Sequence, residues 1–327
     1  MKYIKSLIHP ISIKEFVHHN YDLENNFRCT LLYTGIGDHY LIETTNSKFV
    51  LRVYLPEIYF IEGKSNFIYE TEWTNHIKDN VSIIYPFMTK TGEYISEIDS
   101  VEGKRYCILY SFAEGKYIKP PQEKHAEIFA KNLALMHKYG KNFTPSVQSP
   151  NRGYSYFLEE NVSVLESYQL QNPNDILPKL LLKMRHYKEI FDGIGSIPAD
   201  DYIWGDSHYG NCLYTDEDKV TFIDLDFCGQ GYKIFDIASY LWGFKLDNAK
   251  NYDQIEEKFL TQYESIYPLT NNEREAITVM ILIRNIDTLV FQIQFNSHYL
   301  GSYARCERFW KEWYDDITRL EKVSGLI

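Results

Sequence analysis

The feature of this sequence that most restricts its fold is a polar loop between two strand-like segments. In DYIWGDSHYGNCLY (201–214), an Asp, a His, two glycines and an Asn fall within seven residues. The later VTFIDLDFCG (220–229) contains a second strand-like run, and TDEDK between the two predicts a turn. A hairpin of this kind returns the chain on itself. We therefore expect Asp224 to lie beside Asn211, which is five positions after Asp206.

The pattern of the sequence changes across the chain. Residues 1–110 combine short strand-like segments with one helical stretch, SNFIYETEWTNHIKD. Residues 111–121 break this pattern with glycine and a pair of prolines, which predicts a hinge. Residues 122–327 are mainly helical apart from the polar loop and its hairpin. We therefore predict an α+β fold, with a small β-rich amino-terminal lobe and a larger helical carboxy-terminal lobe.

Net charge and cysteine usage argue against several classes of binding partner and structural site. The chain of 327 residues carries 34 Lys and Arg against 45 Asp and Glu, which argues against nucleic acid and anionic membranes as partners. Its five cysteines are scattered and predict neither a disulfide framework nor a zinc site. We find no signal-peptide core and no run approaching the roughly 20 apolar residues of a membrane span. These features favour a cytoplasmic globular protein.

The spacing of Asp206, Asn211 and Asp224 fits phosphoryl transfer. In that reaction one carboxylate orients the attacking hydroxyl, while a carboxamide and a second carboxylate hold Mg²⁺ on the nucleotide phosphates. A gap of five between Asp and Asn is also that of the protein-kinase catalytic loop, and Asp224 takes the position of the Asp in the D-F-G motif. Ordinary turn residues are the alternative, because Asp, Asn and Gly favour turns.

Three motifs in this order carry a family resemblance. WGDSHYGN (204–211), FIDLDFCG (222–229) and FDIA (235–238) together resemble the aminoglycoside phosphotransferase and choline kinase superfamily. The resemblance implies a two-lobed, protein-kinase-like fold and a bacterial-type small-molecule kinase. Such an enzyme uses ATP or GTP with Mg²⁺ to phosphorylate a hydroxyl of an aminoglycoside-like antibiotic, an amino alcohol or a similar amine-bearing metabolite.

The same resemblance implies roles for individual residues. Asp206 would be the catalytic base, Asn211 and Asp224 would bind the metal, and Asp236 would be a buried brace for the catalytic loop. The chain departs from the family pattern at Trp204, where many members have His.

The amino-terminal half should supply the nucleotide clamp. In FVLRVY (49–54), strand alternation places Arg52 on the face opposite its apolar neighbours, toward the predicted cleft. The choline-kinase-like branch resembles this chain in using Arg at this position, and its guanidinium can bind phosphate oxygens bidentately. Glu70, on the following helix, is the expected partner of Arg52, and Glu72 lies on another face of that helix.

Two backbone segments complete the expected nucleotide site. The bend TGIGD (34–38) would cover the phosphates with backbone N–H groups near Gly35 and Gly37. In LYSFAEG (109–115), Ser111 and Ala113 would form the hinge that binds adenine edge-on.

Other polar and aromatic residues have competing interpretations. We expect His208 to make a structural hydrogen bond and His137 to be a packed structural histidine. Asp226 either touches the metal site or caps a turn. Three tryptophans of the helical half are expected to be core residues, and they are Trp242, Trp310 and Trp313.

Arg284 and Asp287 interrupt an otherwise apolar helix, ITVMILIRNIDTLVFQIQF. Buried charges are usually paired, and spacing of three permits a mutual ion pair. Alternatively, both side chains face the acceptor cleft and bind a polar substrate.

Two other functions are compatible with parts of the sequence. A nucleotide-binding scaffold without activity would retain the same fold, although every expected chemical group is present here. VTFIDLDF also resembles the D-x-D strand of haloacid-dehalogenase-like phosphatases. Those enzymes carry the motif near the first strand of a doubly wound sheet, whereas here it lies two-thirds along the chain.

Overall fold

The computed structural model describes residues 3, 5–55, 63–119, 121–215, 219–247, 251–295 and 306–326. The amino-terminal lobe is a twisted antiparallel sheet in the order β1-β2-β3-β6-β4, with β5 also paired to β6. Its elements are α1 (Pro10–Asn20), β1 (Arg28–Thr34), β2 (Asp38–Glu43), β3 (Lys48–Val53), α2 (Lys64–Ile77), β4 (Pro86–Phe87), β5 (Ile95–Ser100) and β6 (Gly103–Ser111).

Strand alternation divides this lobe into two small cores. Cys107 and Leu109 of β6 point to the face covered by α1, while Ile108 and Tyr110 point to the face covered by α2. The sequence predicted the strands and α2, but it missed α1. That helix begins with Pro10, and the His9 side chain accepts a hydrogen bond from the Ile11 N–H at 3.2 Å.

The carboxy-terminal lobe is mainly helical, as predicted, with short strands around the polar loop. Its helices among the described residues are α3 (Glu123–Gly140), a π-helical segment (Ser155–Glu160), α4 (Asn161–Gln171), α5 (Leu177–Ile194), α6 (Lys233–Leu246), α7 (Tyr252–Glu264), α8 (Asn271–Phe295) and α9 (Glu307–Val323). Its strands are β7 (Asn151–Arg152), β8 (Asp201–Ile203), β9 (Cys212–Tyr214), β10 (Val220–Phe222) and β11 (Gly229–Gly231). The α+β fold class is therefore confirmed.

The hairpin that follows the polar loop forms as expected. β9 and β10 pair antiparallel, with Cys212 opposite Phe222. The connecting turn was predicted at 215–219, of which residues 216–218 lie outside the described part of the chain. The Ile223 N–H donates to the Asn211 carbonyl at 3.0 Å, which brings Asp224 next to the loop.

Backbone contacts and helix α2 are among the features that join the lobes. Lys116, in the predicted hinge, exchanges two backbone hydrogen bonds with Tyr214, and Ile83 forms a bridge to Phe222. Helix α2 also packs one face into the core of the carboxy-terminal lobe, through Tyr69, Trp73 and Ile77. A movement of α2 would therefore change packing contacts in both lobes.

Helix α8 forms the centre of the carboxy-terminal lobe. It is the one helix in the described residues that is long and apolar enough to cross a membrane, although the sequence analysis expected no such segment. The two results differ because a criterion based on mean hydropathy admits a helix with a few charged residues, here Arg284 and Asp287. Of its most apolar stretch, 72% is buried inside the protein, as is usual for a core helix.

A buried ion pair fixes the bend between β1 and β2. Asp38 is fully buried at the start of β2 and pairs with Arg105 of β6 at 2.8 Å and with Lys5 at 2.7 Å. Arg105 is also fully buried and donates to three backbone carbonyls, those of Tyr54, Val53 and Ser6. These contacts connect the bend to the centre of the sheet.

Replacing Arg105 by Met should therefore remove the fully buried cation of the two that pair with Asp38, together with its hydrogen bonds to three backbone carbonyls. We expect Arg105→Met to lower the free energy of unfolding by about 3–5 kcal/mol, measured by urea denaturation. The adjacent Lys104, whose side chain is 70% exposed in a pair with Glu97, provides the control. Lys104→Met should leave the denaturation midpoint unchanged, and equal midpoints for the two variants would contradict this account.

Candidate functional site

The polar loop is held by one buried carboxylate. Asp236, in the first turn of α6, accepts hydrogen bonds from the backbone N–H groups of Trp204 at 2.7 Å and Gly205 at 2.8 Å. The Ser207 hydroxyl donates to the same carboxylate at 3.1 Å, and His137 Nε2 lies 2.9 Å from it. Both the brace predicted at Asp236 and the structural role predicted for His137 are confirmed.

Trp204 connects the loop to the segment that carries Asp224. Its indole Nε1 donates to the Asp224 carbonyl at 2.7 Å. Asp224 has a positive φ of 62°, a conformation that Asp tolerates better than most residues. Gly205 is required for close packing here, because a Cβ at that position would lie 2.3 Å from the Phe227 carbonyl oxygen. The tryptophan that departs from the family pattern therefore has a structural role.

Asp206 lies in the loop with both carboxylate oxygens engaged. Oδ2 accepts from the Asn211 amide at 2.7 Å and lies 3.6 Å from His208 Nε2, and Oδ1 binds the guanidinium of Arg284. Burial opposes ionisation, but His208, Arg284 and Asn211 together lower the pKa of Asp206 to about 2. The side chain is thus held as a carboxylate.

His208 also caps the short helical turn Tyr209–Asn211. Its Nδ1 accepts from the Gly210 N–H at 3.0 Å, which is the structural hydrogen bond that was predicted. The side chain also faces Asp206, since its Nε2 lies 3.6 Å from Oδ2 of that residue.

Arg52 reaches from β3 across to the carboxy-terminal lobe. Leu51 and Val53 point into the core, and the guanidinium of Arg52 pairs with Asp224 at 3.0 Å and with Asp226 at 2.5 Å. The predicted direction of the side chain is therefore confirmed. Burial, together with the carboxylates of Asp224 and Glu70, raises the pKa of Asp226 well above its usual range despite the pairing with Arg52.

The predicted pair between Arg52 and Glu70 does not form among the described residues. Glu70 is 2% exposed and accepts a hydrogen bond from the Tyr110 hydroxyl at 2.6 Å. Arg52 goes instead to two aspartates that the sequence could not place beside it. The two side chains still influence each other electrostatically, and Glu72 turns away to bind Ser146.

Burial raises the pKa of Glu70 to about 7, while the positive charge of Arg52 and the Tyr110 hydroxyl act in the opposite direction. The hydroxyls of Tyr110 and Tyr54 lie 3.2 Å apart. Glu70, Tyr110 and Tyr54 thus form a buried series of hydrogen-bonding groups.

The two predicted backbone segments lie at strand ends of the amino-terminal sheet. The Gly35 N–H donates to the Gly37 carbonyl at 2.9 Å, which closes the bend between β1 and β2. Ser111 ends β6, with its N–H bonded to the Tyr85 carbonyl at 2.9 Å, and Ala113 is buried two residues further on. Because the Ser111 N–H is already used within the sheet, any adenine contact in this segment must use other backbone groups.

One cavity of about 350 Å³ lies between the bend and the polar loop. Five of the predicted site residues line it, and they are Gly37, Arg52, Asp206, Asn211 and Asp224. Four others do not, and they are Gly35, Glu70, Ser111 and Ala113. The structure therefore brings together the residues that were expected to act on phosphates and on the attacking hydroxyl.

The far wall of the cavity comes from α8, α6 and the π-helical segment. Arg284 and Asp287 of α8 form the ion pair that was considered, at 3.2 Å, and both also line the cavity. Trp242 was expected in the core, but its ring lies at the cavity, 5.3 Å from the Arg284 guanidinium. Trp310 is buried as predicted.

Two further wall residues, Asn161 and Tyr156, were missed by the sequence analysis. They follow the β7 strand in a region without a recognisable motif. Their only sequence signal is a polar and an aromatic residue in a helical stretch, which is too common to identify a site.

The oxygen donors at the cavity suit a hard cation. No group of three or more His, Cys, Asp or Glu side chains in the described ranges forms a metal cluster. Mg²⁺, however, commonly uses one or two protein ligands together with phosphates and water. The Asn211 amide nitrogen donates to Asp206, so its oxygen is the atom left for a metal, and Asp226 Oδ1 is buried with no hydrogen-bond partner in the described structure. Asn211, Asp224 and Asp226 therefore fit such an ion.

A β-rich lobe, a helical lobe and a braced acidic loop at their junction define the architecture of a protein-kinase-like enzyme. The model of the phosphotransferase enzyme family matches residues 35–269. The chain belongs to that family and is a small-molecule kinase that phosphorylates hydroxyl groups.

Individual proteins are similar to this chain at sequence identities of 28% and below. An uncharacterized protein of Synechocystis is 28% identical over 310 residues, covering 92% of this chain and 84% of that protein. A homoserine kinase of Agrobacterium fabrum is 23% identical over 260 residues, covering 76% and 75%. The structure of an amicoumacin kinase in complex with AMP-PNP and Ca²⁺ superposes with a TM-score of 0.73 at 18% identity, covering 93% and 92%.

The buried position of Glu70 predicts a pH-dependent stability. The pKa of Glu70 is about 7 in the folded state, and that of an unfolded Glu is about 4.3. The contribution of this carboxyl group to stability is therefore fully present below about pH 4.3. That stability is lost as the pH rises through about 7. Glu70→Gln should remove this loss, so the unfolding free energies of wild type and variant should diverge in favour of the variant between pH 4.3 and 7. Parallel denaturant-midpoint curves over this range would contradict the assignment.

Proposed function

We propose that the protein transfers the γ-phosphoryl group of ATP or GTP, with Mg²⁺, to a hydroxyl of a small amine-bearing acceptor, with Asp206 as catalytic base. One observation carries this proposal: Asp206, Asn211, Asp224 and Arg52 come from both lobes and line the same cavity beneath the β1–β2 bend. Such convergence is what in-line transfer between a bound nucleotide and an acceptor requires.

Asp206 would receive the proton of the acceptor hydroxyl. A bond forms between that hydroxyl oxygen and the γ-phosphorus, the bond from the γ-phosphorus to the β,γ-bridging oxygen breaks, and ADP or GDP leaves. The hydrogen bond from Asn211 and the brace at Asp236 fix the position of Asp206. The pKa of Asp206, about 2, keeps the side chain ionised, so the carboxylate is present in the basic form that the reaction needs.

Arg52 and the acidic pair next to it would form the phosphate end of the site. When bound, Mg²⁺ would neutralise charge on the phosphates, and Asn211, Asp224 and Asp226 are the residues that would hold it. Arg52 is 6% exposed and shared between Asp224 and Asp226. Its forked guanidinium is suited to bind phosphate oxygens from this position. The backbone near Gly37 lies over the same space.

The acceptor end of the cavity favours a small, polar molecule. A volume of about 350 Å³ is shared between phosphate and acceptor, and Asp287 and Glu160 on the wall are suitable partners for an amine. The relatives support this class, since they include a homoserine kinase and an amicoumacin kinase. We expect the enzyme to work in the cytoplasm, where ATP and GTP are available.

The two alternative functions have less support. Asp224 and Asp226 follow β10 in a two-stranded antiparallel hairpin, which is unlike the parallel sheet that carries a D-x-D phosphatase nucleophile. A nucleotide-binding scaffold would retain the same cavity, so it is separated from an enzyme by measuring turnover.

Asp206→Asn should abolish most phosphoryl transfer while leaving nucleotide binding intact. Removal of a general base typically costs about 100- to 10,000-fold in rate. The purified protein would be incubated with Mg²⁺ and ATP or GTP and a panel of hydroxylated amines, antibiotics and amino acids, with products detected by a mass gain of about 80 Da for one phosphoryl group.

The control is Asp200→Asn, an exposed aspartate just before β8, which should transfer at the wild-type rate. Nucleotide binding without transfer to any acceptor would favour the scaffold. Phosphate release from a phosphomonoester in the absence of nucleotide would favour the phosphatase.

A further inference from the structure

The contact between Arg284 and Asp206 connects the proposed base to the far wall of the cavity, where Arg284 lies on α8. Arg284 extends from α8, is 7% exposed, and places one guanidinium nitrogen on Asp206 and another on Asp287. Its flat group also lies 5.5 Å from the ring of Phe235 and 5.3 Å from that of Trp242. The side chain is therefore fixed in place while its polar edge faces the cavity.

This arrangement leaves Asp206 engaged at both oxygens. Asn211 donates to Oδ2, and Arg284 binds Oδ1. A hydroxyl that approaches Asp206 must compete with a charge-assisted hydrogen bond, which is about twice as strong as a neutral one. An acceptor that offers Arg284 a replacement anion would remove this competition.

Arg284 has a donor that suits such an anion. Its Nε is buried and has no hydrogen-bond partner within the described part of the chain. A carboxylate binds guanidinium best through two parallel hydrogen bonds, often from Nε and a terminal nitrogen. The buried donor and the nitrogen now on Asp206 can both be satisfied by one carboxylate.

Asp287 supplies the opposite charge next to this position. Its Oδ2 binds Arg284 at 3.2 Å, and its Oδ1 accepts from the Asn161 amide at 3.4 Å. A carboxylate on Nε and on the nitrogen now at Asp206 would leave this Arg284–Asp287 contact in place. Asp287 also lines the cavity, so its carboxylate is a partner that an ammonium group of the same ligand can use. Because Arg284 touches both aspartates, the acceptor's acid, ammonium and hydroxyl groups must lie within a few bonds of one another.

We propose that Arg284 is the specificity-determining residue of the acceptor site, and that the acceptor is a compact hydroxylated amino acid. Its carboxylate binds Arg284 and takes the guanidinium from Asp206, which frees the base for the hydroxyl. Its ammonium binds Asp287. This inference rests on the proposed function, because it assigns the recognition that precedes transfer to the same hydroxyl.

The test compares acceptors that differ by a single group. L-Homoserine and 3-amino-1-propanol differ by a carboxylate, as do L-serine and ethanolamine, and 4-hydroxybutyrate lacks only the ammonium of homoserine. With the wild-type enzyme, Mg²⁺ and ATP or GTP, kcat/KM for at least one amino acid should exceed that of its decarboxylated partner by about 100-fold or more. 4-Hydroxybutyrate should be poorer than homoserine.

Arg284→Met removes the charge but keeps a side chain of similar length between Phe235 and Trp242. It should bring the ratio of amino acid to amino alcohol close to one, mainly through KM of the amino acid. Arg274→Met is the matched control, since Arg274 lies on the same helix with its side chain 54% exposed, and it should keep the wild-type ratio. The wild-type ratio itself tests the inference even if Arg284→Met is poorly folded.

Calorimetry separates this inference from the kinase proposal. Binding of the same amino acids would be measured in the presence of AMP-PNP and Mg²⁺. Binding to the wild type that is lost in Arg284→Met supports recognition by Arg284. If the wild type binds an amino acid in this way but transfers no phosphoryl group to it, the proposed function fails while the recognition stands. Equal use of amino acids and amino alcohols by wild type, with transfer still dependent on Asp206, overturns this inference alone. Absence of both binding and transfer for all these probes also overturns it.

Discussion

The buried carboxylate of Asp236 is the interaction on which the site depends. It binds two consecutive backbone N–H groups at the start of the polar loop, and His137 holds it from behind. A loop carrying Asp206 and Asn211 would otherwise be free to adopt many conformations. The cost of burying this charge is offset by hydrogen bonds from four groups, so the loop geometry is set by the core of the carboxy-terminal lobe.

Two arginines then keep a strongly acidic cavity compatible with folding. Arg52 neutralises Asp224 and Asp226 from the amino-terminal lobe, and Arg284 neutralises Asp206 and Asp287 from α8. Without them, the carboxylates would repel one another in a partly desolvated space. Each arginine is thus a structural partner of two carboxylates, and in our proposal it is also the group that binds a ligand anion, the phosphate at Arg52 and the acceptor at Arg284.

Local sequence pattern predicted much of this arrangement. The alternation in β3 gave the direction of Arg52, and the spacing around Asn211 gave the loop and hairpin, because both depend on neighbours in sequence. The Arg52–Glu70 pair was wrong because Asp226 competes for the same guanidinium across 174 positions. Trp242 was assigned to the core because an aromatic residue at helical spacing has the same pattern whether it faces a core or a cavity.

By itself, the sequence determined the α+β class, most of the order of the elements, and the spacing of the polar-loop residues that we propose to carry out phosphoryl transfer. These follow from periodicity, turn chemistry and short-range spacing, which act within a few residues. The tertiary structure alone decided that Arg284 meets Asp206, that Glu70 is buried behind Arg52, and that α8 forms a cavity wall as well as the core. Those outcomes depend on how distant segments pack, because charge pairing and burial are set by neighbours in space.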